Sequence, residues 1–429
     1  MTMLELLRKL LGQKILNIYH LVTAVVANLI FGFPSRKLRV IGVTGTDGKT
    51  TTVNMIAQIL QAEGKNVAFL STINARVGGK MIDTGLHTTT PSPFFIQRLL
   101  RQMVASGAEF AVLEVTSHAL DQYRTWGISF ETAVLTNVTH EHLDYHKTPE
   151  NYLVAKLRLL QNTARKKGGA LVLNRDDRSY TAASQIPASA VLSFGLSGSA
   201  AVWASNLELG LNMAKFTVHA PQGDFVAVLN LPGEFNVKNA LAAITVGLHY
   251  HVGTSAIQRG LISLRSLPGR MEFLPSEVGF TVVVDFAHTP AGLREALMFL
   301  RGQVADRLIV VFGAAGERDR TKRPEMGAVA DEKADIVILT REDNRSENVS
   351  SICEEIRSGV KNKTPSRDLF IIPDRREAIA FALKLAKKGD LVAVTGKGHE
   401  QSLNVDGVET PWNDRNVVME ELGRLSSGK

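Results

Sequence analysis

The chain has 429 residues, which at roughly 100–200 residues per domain implies two to four domains. Hydrophobic residues at 45% and charged residues at 21% exclude a disordered chain, and a single cysteine, Cys353, excludes internal disulfides and zinc ribbons and fits a reducing compartment. The net charge of +7 is spread without basic runs interleaved with aromatics, which excludes a nucleic-acid stripe and suits a small polyanion such as a nucleotide.

In chain order, the first unusual stretch is Ile15 to Phe33, mostly apolar and flanked by Arg8, Lys9 and Lys14 on one side and Arg36, Lys37 and Arg39 on the other. It lacks the small-residue cleavage site of a secretory signal. At about 100° per residue, Gln13, Lys14, Asn17, His20 and Asn28 fall on one helix face, with Leu16, Val22, Val25, Val26 and Leu29 on the other. That stripe predicts a helix lying on a membrane surface or a partner; a helix packed on its own protein, or a true span, are the alternatives.

From Leu38 onward, short β-branched runs alternate with longer amphipathic stretches. Strands are expected at Arg39–Val43, Val67–Leu70, Phe110–Val115 and Thr132–Leu135, with a helix over Thr50–Ala62. A β-rich excursion is expected from about Ala190 to Leu231, then a helix near Phe235. A second alternation follows at Phe280–Asp285, Leu308–Phe312, Ile336–Leu339, Leu369–Ile372 and Leu391–Thr395. This rhythm predicts an α/β protein: a central, mostly parallel sheet of nucleotide-loop type and a C-terminal Rossmann-like domain. The expected division is 1–37, 38–268 and 269–429.

After the first strand comes Gly42-Val43-Thr44-Gly45-Thr46-Asp47-Gly48-Lys49-Thr50-Thr51-Thr52. Glycines let backbone N–H groups approach phosphates, the helix N-terminus adds a positive dipole end, Lys49 can reach the terminal phosphates and Thr50 can ligate magnesium. The strict phosphate-loop pattern is not met, since Val43 stands where its first glycine belongs. Glu114 ends a strand, where a metal ligand opposite a phosphate loop is commonly placed. The His-rich stretch Thr136–His146 by itself looks like a transition-metal site, with an ordinary polar loop the commoner reading of such a stretch.

Taken in order, Gly-x-Thr-Gly-Thr-x-Gly-Lys-Thr-Thr, Leu113–Leu120, Thr136–His146, Val154–Leu157, Gly233–Ala240, Pro268–Glu272 and Val284–Pro290 resemble the Mur ligases and their folylpolyglutamate synthetase relatives. The resemblance runs from about Leu38 to Arg415. It implies an ATP-dependent amide ligase that works through an acyl phosphate, with two magnesium ions. By resemblance, Gly45, Thr46, Asp47, Gly48, Lys49, Thr50 and Thr51 bind ATP, joined by Asn239 at the base, Arg270 beside adenine and Asp285 at the ribose. It also implies that Glu114 bridges the two ions, that His142 holds the second, and that Lys156 carries carbon dioxide as a carbamate. His288 is expected to orient the closed site.

Phe312–Pro324, Arg341–Glu347 and Val394–Glu400 look most like the branch that adds a diamino acid as third residue of the cell-wall stem peptide. This implies Arg318, Asp343, Asn344, Arg345, Gly396 and Glu400 around the incoming amino acid, and Thr88, Thr89 and Ser117 around a muramoyl-peptide acceptor. Three departures stand out. Asp47 replaces the family's usual Asn, and would repel phosphate unless it is hydrogen-bonded or faces away. Glu342-Asp343-Asn344-Arg345 replaces Asp-Asn-Pro-Arg. Fewer than forty residues precede the nucleotide loop, too few to bury a core of their own, where the family carries a UDP-binding domain. The expected partners are therefore a nucleotide, a peptide-sugar acceptor and an amino acid, with no nucleic acid. The setting is a cytoplasmic monomer, in peripheral contact with the inner face of the membrane through residues 1–37. A ligase of polyglutamate or folate polyglutamate chains and a non-catalytic nucleotide-binding scaffold are the competing readings.

Overall fold

The computed structural model describes residues 3–82, 90–276 and 278–427, without the side chains of residues 3–12 and 14. Eleven strands form one sheet: β1 (Arg39–Thr44), β2 (Val67–Leu70), β3 (Ala75–Val77), β4 (Lys80–Ile82), β5 (Phe110–Glu114), β6 (Phe130–Leu135), β7 (Ala170–Asn174), β8 (Ala190–Gly195), β9 (Val202–Leu209), β10 (Ala214–His219) and β11 (Phe225–Leu229). Their spatial order is β11-β10-β9-β8-β7-β6-β1-β5-β2-β3-β4. Pairing is parallel from β9 to β2 and antiparallel in the two flanks.

A second sheet holds β12 (Glu272–Leu274), β13 (Thr281–Asp285), β14 (Leu308–Phe312), β15 (Ile336–Leu339), β16 (Leu369–Ile371) and β17 (Leu391–Thr395), ordered β12-β13-β17-β14-β15-β16. Only β12 runs antiparallel to its neighbour. A hairpin of β18 (Ser402–Val405) and β19 (Val408–Pro411) completes the strands among the described residues.

The helices of the first unit are α1 (Met3–Phe31), α2 (Lys49–Ala62), α3 (Pro93–Ala105), α4 (Ser117–Asp121), α5 (Leu143–His146), α6 (Pro149–Ala164), α7 (Tyr180–Ala183), α8 (Glu234–His249) and α9 (Thr254–Ser263). Those of the second are α10 (Pro290–Arg301), α11 (Lys322–Lys333), α12 (Val349–Arg357), α13 (Arg375–Leu385) and α14 (Asp414–Ser427). Parallel strands bury both faces, so each reads as a continuous apolar run. Accordingly α2, α8 and α9 cover one face of the large sheet while α3 and α6 cover the other. The second sheet is likewise sandwiched between α10–α12 and α13–α14.

The expected strands are present; β3, β4, β7, β12 and the β18–β19 hairpin are additions to them. The helix α1 packs on α3, but with the face the sequence marks as polar. Asn28 is fully buried and donates to the carbonyls of Ala24 and Trp126, each at 2.8 Å. Asn17 donates to Asp121 Oδ2 at 3.2 Å. Leu16, expected on the opposite stripe, sits at the packed edge and is buried, whereas Val22, Val26 and Leu29 face outward. The helix end is closed locally, by Gly32 N donating to Leu29 O and Phe33 N to Asn28 O, and the turn beyond it is fastened where Ser35 Oγ accepts from Ser129 N at 3.1 Å.

Gly127 makes this docking possible. Its φ is +81°, and a Cβ there would lie 2.6 Å from Asn28 Cγ. Gly127→Ala therefore combines left-handed strain with a clash against a buried amide, and is expected to lower stability by about 1–3 kcal/mol, read from the urea midpoint by circular dichroism.

Candidate active site

The nucleotide loop connects β1 to α2 at the carboxyl edge of the sheet, where β1 lies between β5 and β6. Neighbouring connections leave this point in opposite directions and open a crevice. The loop backbone is clamped from β6: Asn137 Oδ1 accepts from Asp47 N at 2.9 Å, and Asp47 O accepts from Thr136 Oγ1 at 2.7 Å. Gly48 has φ +79°, and a Cβ there would sit 2.1 Å from Asn239 Oδ1, so the loop closes against α8 only with glycine. Lys49 Nζ donates to Thr46 O at 2.7 Å, folded back over the loop.

Asp47 lines two openings between the sheets, and its side chain reaches across the seam to the second sheet's side. Its Oδ2 accepts from Thr289 Oγ1 at 3.4 Å, and Thr289 is the N-cap of α10, accepting from Gly292 N at 2.9 Å. A carboxylate at the positive end of a helix is favourably placed, which offsets part of the repulsion expected of an acidic residue in a phosphate loop.

Behind the loop, Glu114 is buried at the end of β5, and its Oε2 accepts from Thr50 Oγ1 and Thr72 N, each at 2.9 Å. His142 adopts a left-handed backbone (φ +59°) just before α5, and its Nδ1 is buried without a hydrogen-bond partner. Burial, followed by repulsion from His118 and Lys322, holds its imidazolium well below the ordinary range, leaving the neutral ring that metals prefer. Lys156, on α6 behind Thr148 as N-cap and Pro149 in the first turn, donates from Nζ to Gly45 O at 2.6 Å. It is buried; desolvation and then Lys49 push its ammonium well below the usual lysine range.

A pocket of ≈ 100 Å³ between the two sheets is lined by Asn239, Arg270, Asp285, Phe286, Phe235 and Lys238, among others. Asp285, at the end of β13, accepts from Met271 N at 2.6 Å and Ala287 N at 2.9 Å, and burial raises its carboxyl pKa. Arg270 stacks 4.3 Å from the Phe286 ring centroid and its Nη2 donates to Thr50 Oγ1 at 3.4 Å. Asn239 is thus brought to the loop and pocket together.

A larger cleft of ≈ 690 Å³ continues from Thr46–Thr51, Glu114 and His142 to His288, Arg318, Asp343, Arg345 and Glu400 across the gap. Its two walls are joined by an ion pair absent from the sequence expectations: Lys322 Nζ donates to both Glu141 oxygens, at 3.1 and 3.2 Å, and to His288 O at 2.9 Å. His288 Nδ1 lies 2.9 Å from Phe286 O, and burial together with Lys322 lowers its pKa to about 3.

Asp343 Oδ1 accepts from Lys397 Nζ at 2.8 Å, and Lys397 also pairs with Glu400. Arg345 has φ +52° and donates from Nη1 to Gly316 O at 3.1 Å.

Gly45, Lys156, Asn344, Gly396 and Ser117, all expected site residues, are not on the cleft wall. Asn344 is buried behind it, donating to Arg345 O, Glu347 O and Asp406 Oδ1. Gly396, at φ +105°, leaves room for Glu342, whose Oε2 would lie 2.9 Å from a Cβ there, and Ser117 Oγ is 3.0 Å from His146 Nε2. Thr88 and Thr89 lie outside the described residues. Besides Lys322 and Glu141, the sequence reading missed Asn137, Thr289, Glu342 and Lys397. Only their position inside or beside the quoted motifs could have flagged them.

The profile of the Mur ligase middle domain matches residues 43–247, and that of the Mur ligase glutamate ligase domain matches residues 269–398. A 2,6-diaminopimelate ligase of Syntrophomonas wolfei, named for its UDP-N-acetylmuramoyl-L-alanyl-D-glutamate substrate, is 38% identical over 93% of this chain and 81% of its own. The chain belongs to the Mur ligase family. A UDP-N-acetylmuramyl-tripeptide synthetase of Borreliella afzelii is 37% identical over 94% of this Mur ligase and 80% of its own length. The solved structure of a ligase of the same name as the Syntrophomonas protein aligns with a TM-score of 0.60 at 33% identity, covering 91% and 79% of the two chains.

Glu342 offers a test of the cleft's electrostatics. Burial pushes its carboxyl up to about 7, and its Oε2 has no hydrogen-bond partner. A raised carboxyl pKa means that the folded state holds a proton the unfolded chain releases. Wild type should therefore lose stability relative to Glu342→Gln as pH rises from about 4.5 to 7, by at most about 3 kcal/mol, and the gap should stay constant above that. Urea titrations across this range measure it.

Proposed function

We propose that this Mur ligase is an ATP-dependent ligase that joins a diamino acid to a muramoyl-peptide acceptor in cell-wall precursor synthesis, with residues 38–268 binding ATP and residues 269–429 presenting the amino acid. The observation that carries this reading is one continuous cleft with the nucleotide loop, Glu114 and His142 on one wall and Arg318, Arg345 and Glu400 on the other. The acceptor carboxylate attacks the γ-phosphate of ATP to give an acyl phosphate. The amine then attacks the carbonyl and phosphate leaves. Lys49 and the loop amides hold the phosphates where charge develops, which supplies most of the rate gain in phosphoryl transfer. Asn239, Arg270 and Asp285 orient the base and ribose.

The donor set fits magnesium: a threonine hydroxyl, a buried carboxylate and an imidazole whose Nδ1 has no hydrogen-bond partner. Thr50, Glu114, His142 and Lys156 would hold two ions, whose chemistry is to neutralise negative charge on the phosphates. Lys156, whose ammonium form is disfavoured by burial, forms an N–C bond to carbon dioxide through its neutral amine and releases a proton, so that a buried amine becomes an anionic oxygen donor. The reaction takes small molecules only and runs in the cytoplasm, with residues 1–37 at the inner face of the membrane.

Ligation of a panel of amino acids onto UDP-linked muramoyl dipeptide, with labelled ATP and products identified by mass, tests the reaction and both substrates. No product with any acceptor would refute the ligase reading. Lys156→Ala should lose most activity and regain part of it with acetate, while wild type should show a carbamate signal with carbon-13 bicarbonate by NMR. Full activity of Lys156→Ala in buffer stripped of carbon dioxide would end the carbamate assignment. Arg345 pairs with the distal carboxylate of meso-diaminopimelate, which lysine lacks. Arg345→Ala should cut the preference for meso-diaminopimelate over lysine about tenfold, read from kcat/KM for each amino acid; an unchanged ratio would remove that clasp.

A further inference from the structure

The outward face of α1 carries a row of exposed apolar side chains. Ile15, Ile18, Val22, Leu29 and Ile30 are each between 49% and 65% exposed, and Val26 is 40% exposed. An apolar row of this length on water marks an interaction surface. It is rigidly mounted, because Asn17 and the buried Asn28 bond the opposite face of the helix to the protein. Among the described residues no helix is long and apolar enough to cross a membrane, so α1 is not a span.

The rim of this row is cationic. Phe31 at the end of α1 meets Phe94 of α3 edge-on, with ring centroids 6.5 Å apart. Spacings of four and seven residues put Arg98 and Arg101 on the same side of α3 as Phe94, and both are exposed. Arg36 and Lys37 are exposed just beyond α1, and Glu5 is the sole carboxylate in residues 3–37 and 93–105. Two copies meeting through this face would bring like charges together, whereas an anionic bilayer offers both the apolar depth and the opposite charge.

We infer that the outer face of α1, with the arginines of α3, is a docking surface for the anionic headgroups and upper acyl region of a lipid bilayer, with α1 lying in the plane of the interface. This rests on the placement of residues 1–37 at the membrane proposed above, and adds the face, its orientation and the lipid charge. The surface stands close to the chemistry. Thr116, on the cleft wall, caps α4, and Asp121 at the other end of that five-residue helix accepts from Asn17, a span of roughly 8 Å.

Flotation of the full chain with phosphatidylethanolamine vesicles containing phosphatidylglycerol tests this, with phosphatidylcholine vesicles as the neutral control. Wild type is expected to float with the anionic vesicles only, and less as salt is raised. Val22→Asp/Leu29→Asp and Arg98→Glu/Arg101→Glu each change exposed side chains, so the circular dichroism spectrum should be kept while the bound fraction falls about tenfold. Ligation of a soluble acceptor by the same samples should be unchanged, which separates failure of the docking surface from failure of the ligase reading. Three results would overturn the inference: wild type that floats with neither vesicle, a Val22→Asp/Leu29→Asp variant that floats as wild type does, or a lipid-free dimer that this variant converts to monomer.

Discussion

Lys322 and Glu141 face each other beneath the cleft with both side chains almost wholly removed from water, and the relation between the two sheets depends on this pair. Losing one partner would leave the other as an uncompensated buried charge, at a cost of about 3–5 kcal/mol. The third contact, from Lys322 to the His288 carbonyl, ties the start of α11 to the loop that follows β13. Weaker links then fall into register. Asp47 reaches the cap of α10 and Arg270 reaches Thr50, each spanning the seam between the nucleotide loop and the second sheet. The small pocket at Asn239 and Asp285 exists only while this seam is closed, because its lining comes from both sides.

The same economy shows in how the loops around the cleft are held. Arg323 is fully buried next to Lys322, donating to Glu347, Glu355 and the Ala315 carbonyl. It pins the loop that carries Arg318 to the loop that carries Arg345. Neighbouring lysine and arginine thus do different work: the ammonium fits a compact site with three acceptors, while the planar guanidinium bridges acceptors spread along an edge.

Much of the architecture was legible in the sequence, because buried parallel strands write themselves as apolar β-branched runs between amphipathic helices. Segments such as Leu308–Phe312 and Leu391–Thr395 occupy the predicted residues. The short strand Glu272–Leu274 and the hairpin over Ser402–Pro411 were not legible; pairing across a sequence gap decides them, and their residues carry no strong period. The N-terminal helix shows a subtler limit. Periodicity separates a polar from an apolar face but does not say which one meets the protein. Here Trp126 offers a carbonyl that Asn28 satisfies, and the polar face turns inward.

At the site, the motif residues Lys49, Glu114, His142 and Lys156 converge around the loop, while Glu141 and Lys322 escaped notice. A surface-type charge in a motif has no local signature of burial; only the approach of two sheets creates one. For Asp47 the sequence posed a question that only tertiary geometry could answer, by supplying Thr289.

Asn344 carries a consequence of its own. It replaces the proline of the motif that this segment resembles, and a proline ring narrows the conformations open to a chain at every temperature. The bend before Arg345 is held here by three side-chain hydrogen bonds, one of them to Asp406 at the tip of the β18–β19 hairpin. A bend made of bonds is enthalpic and loosens with heat, and it is hostage to a solvent-facing turn at the tip of a hairpin whose strands line the cleft at Ser402 and Glu409. Drift at that turn would therefore shift the Arg345 side of the cleft while leaving the residues that line it unchanged.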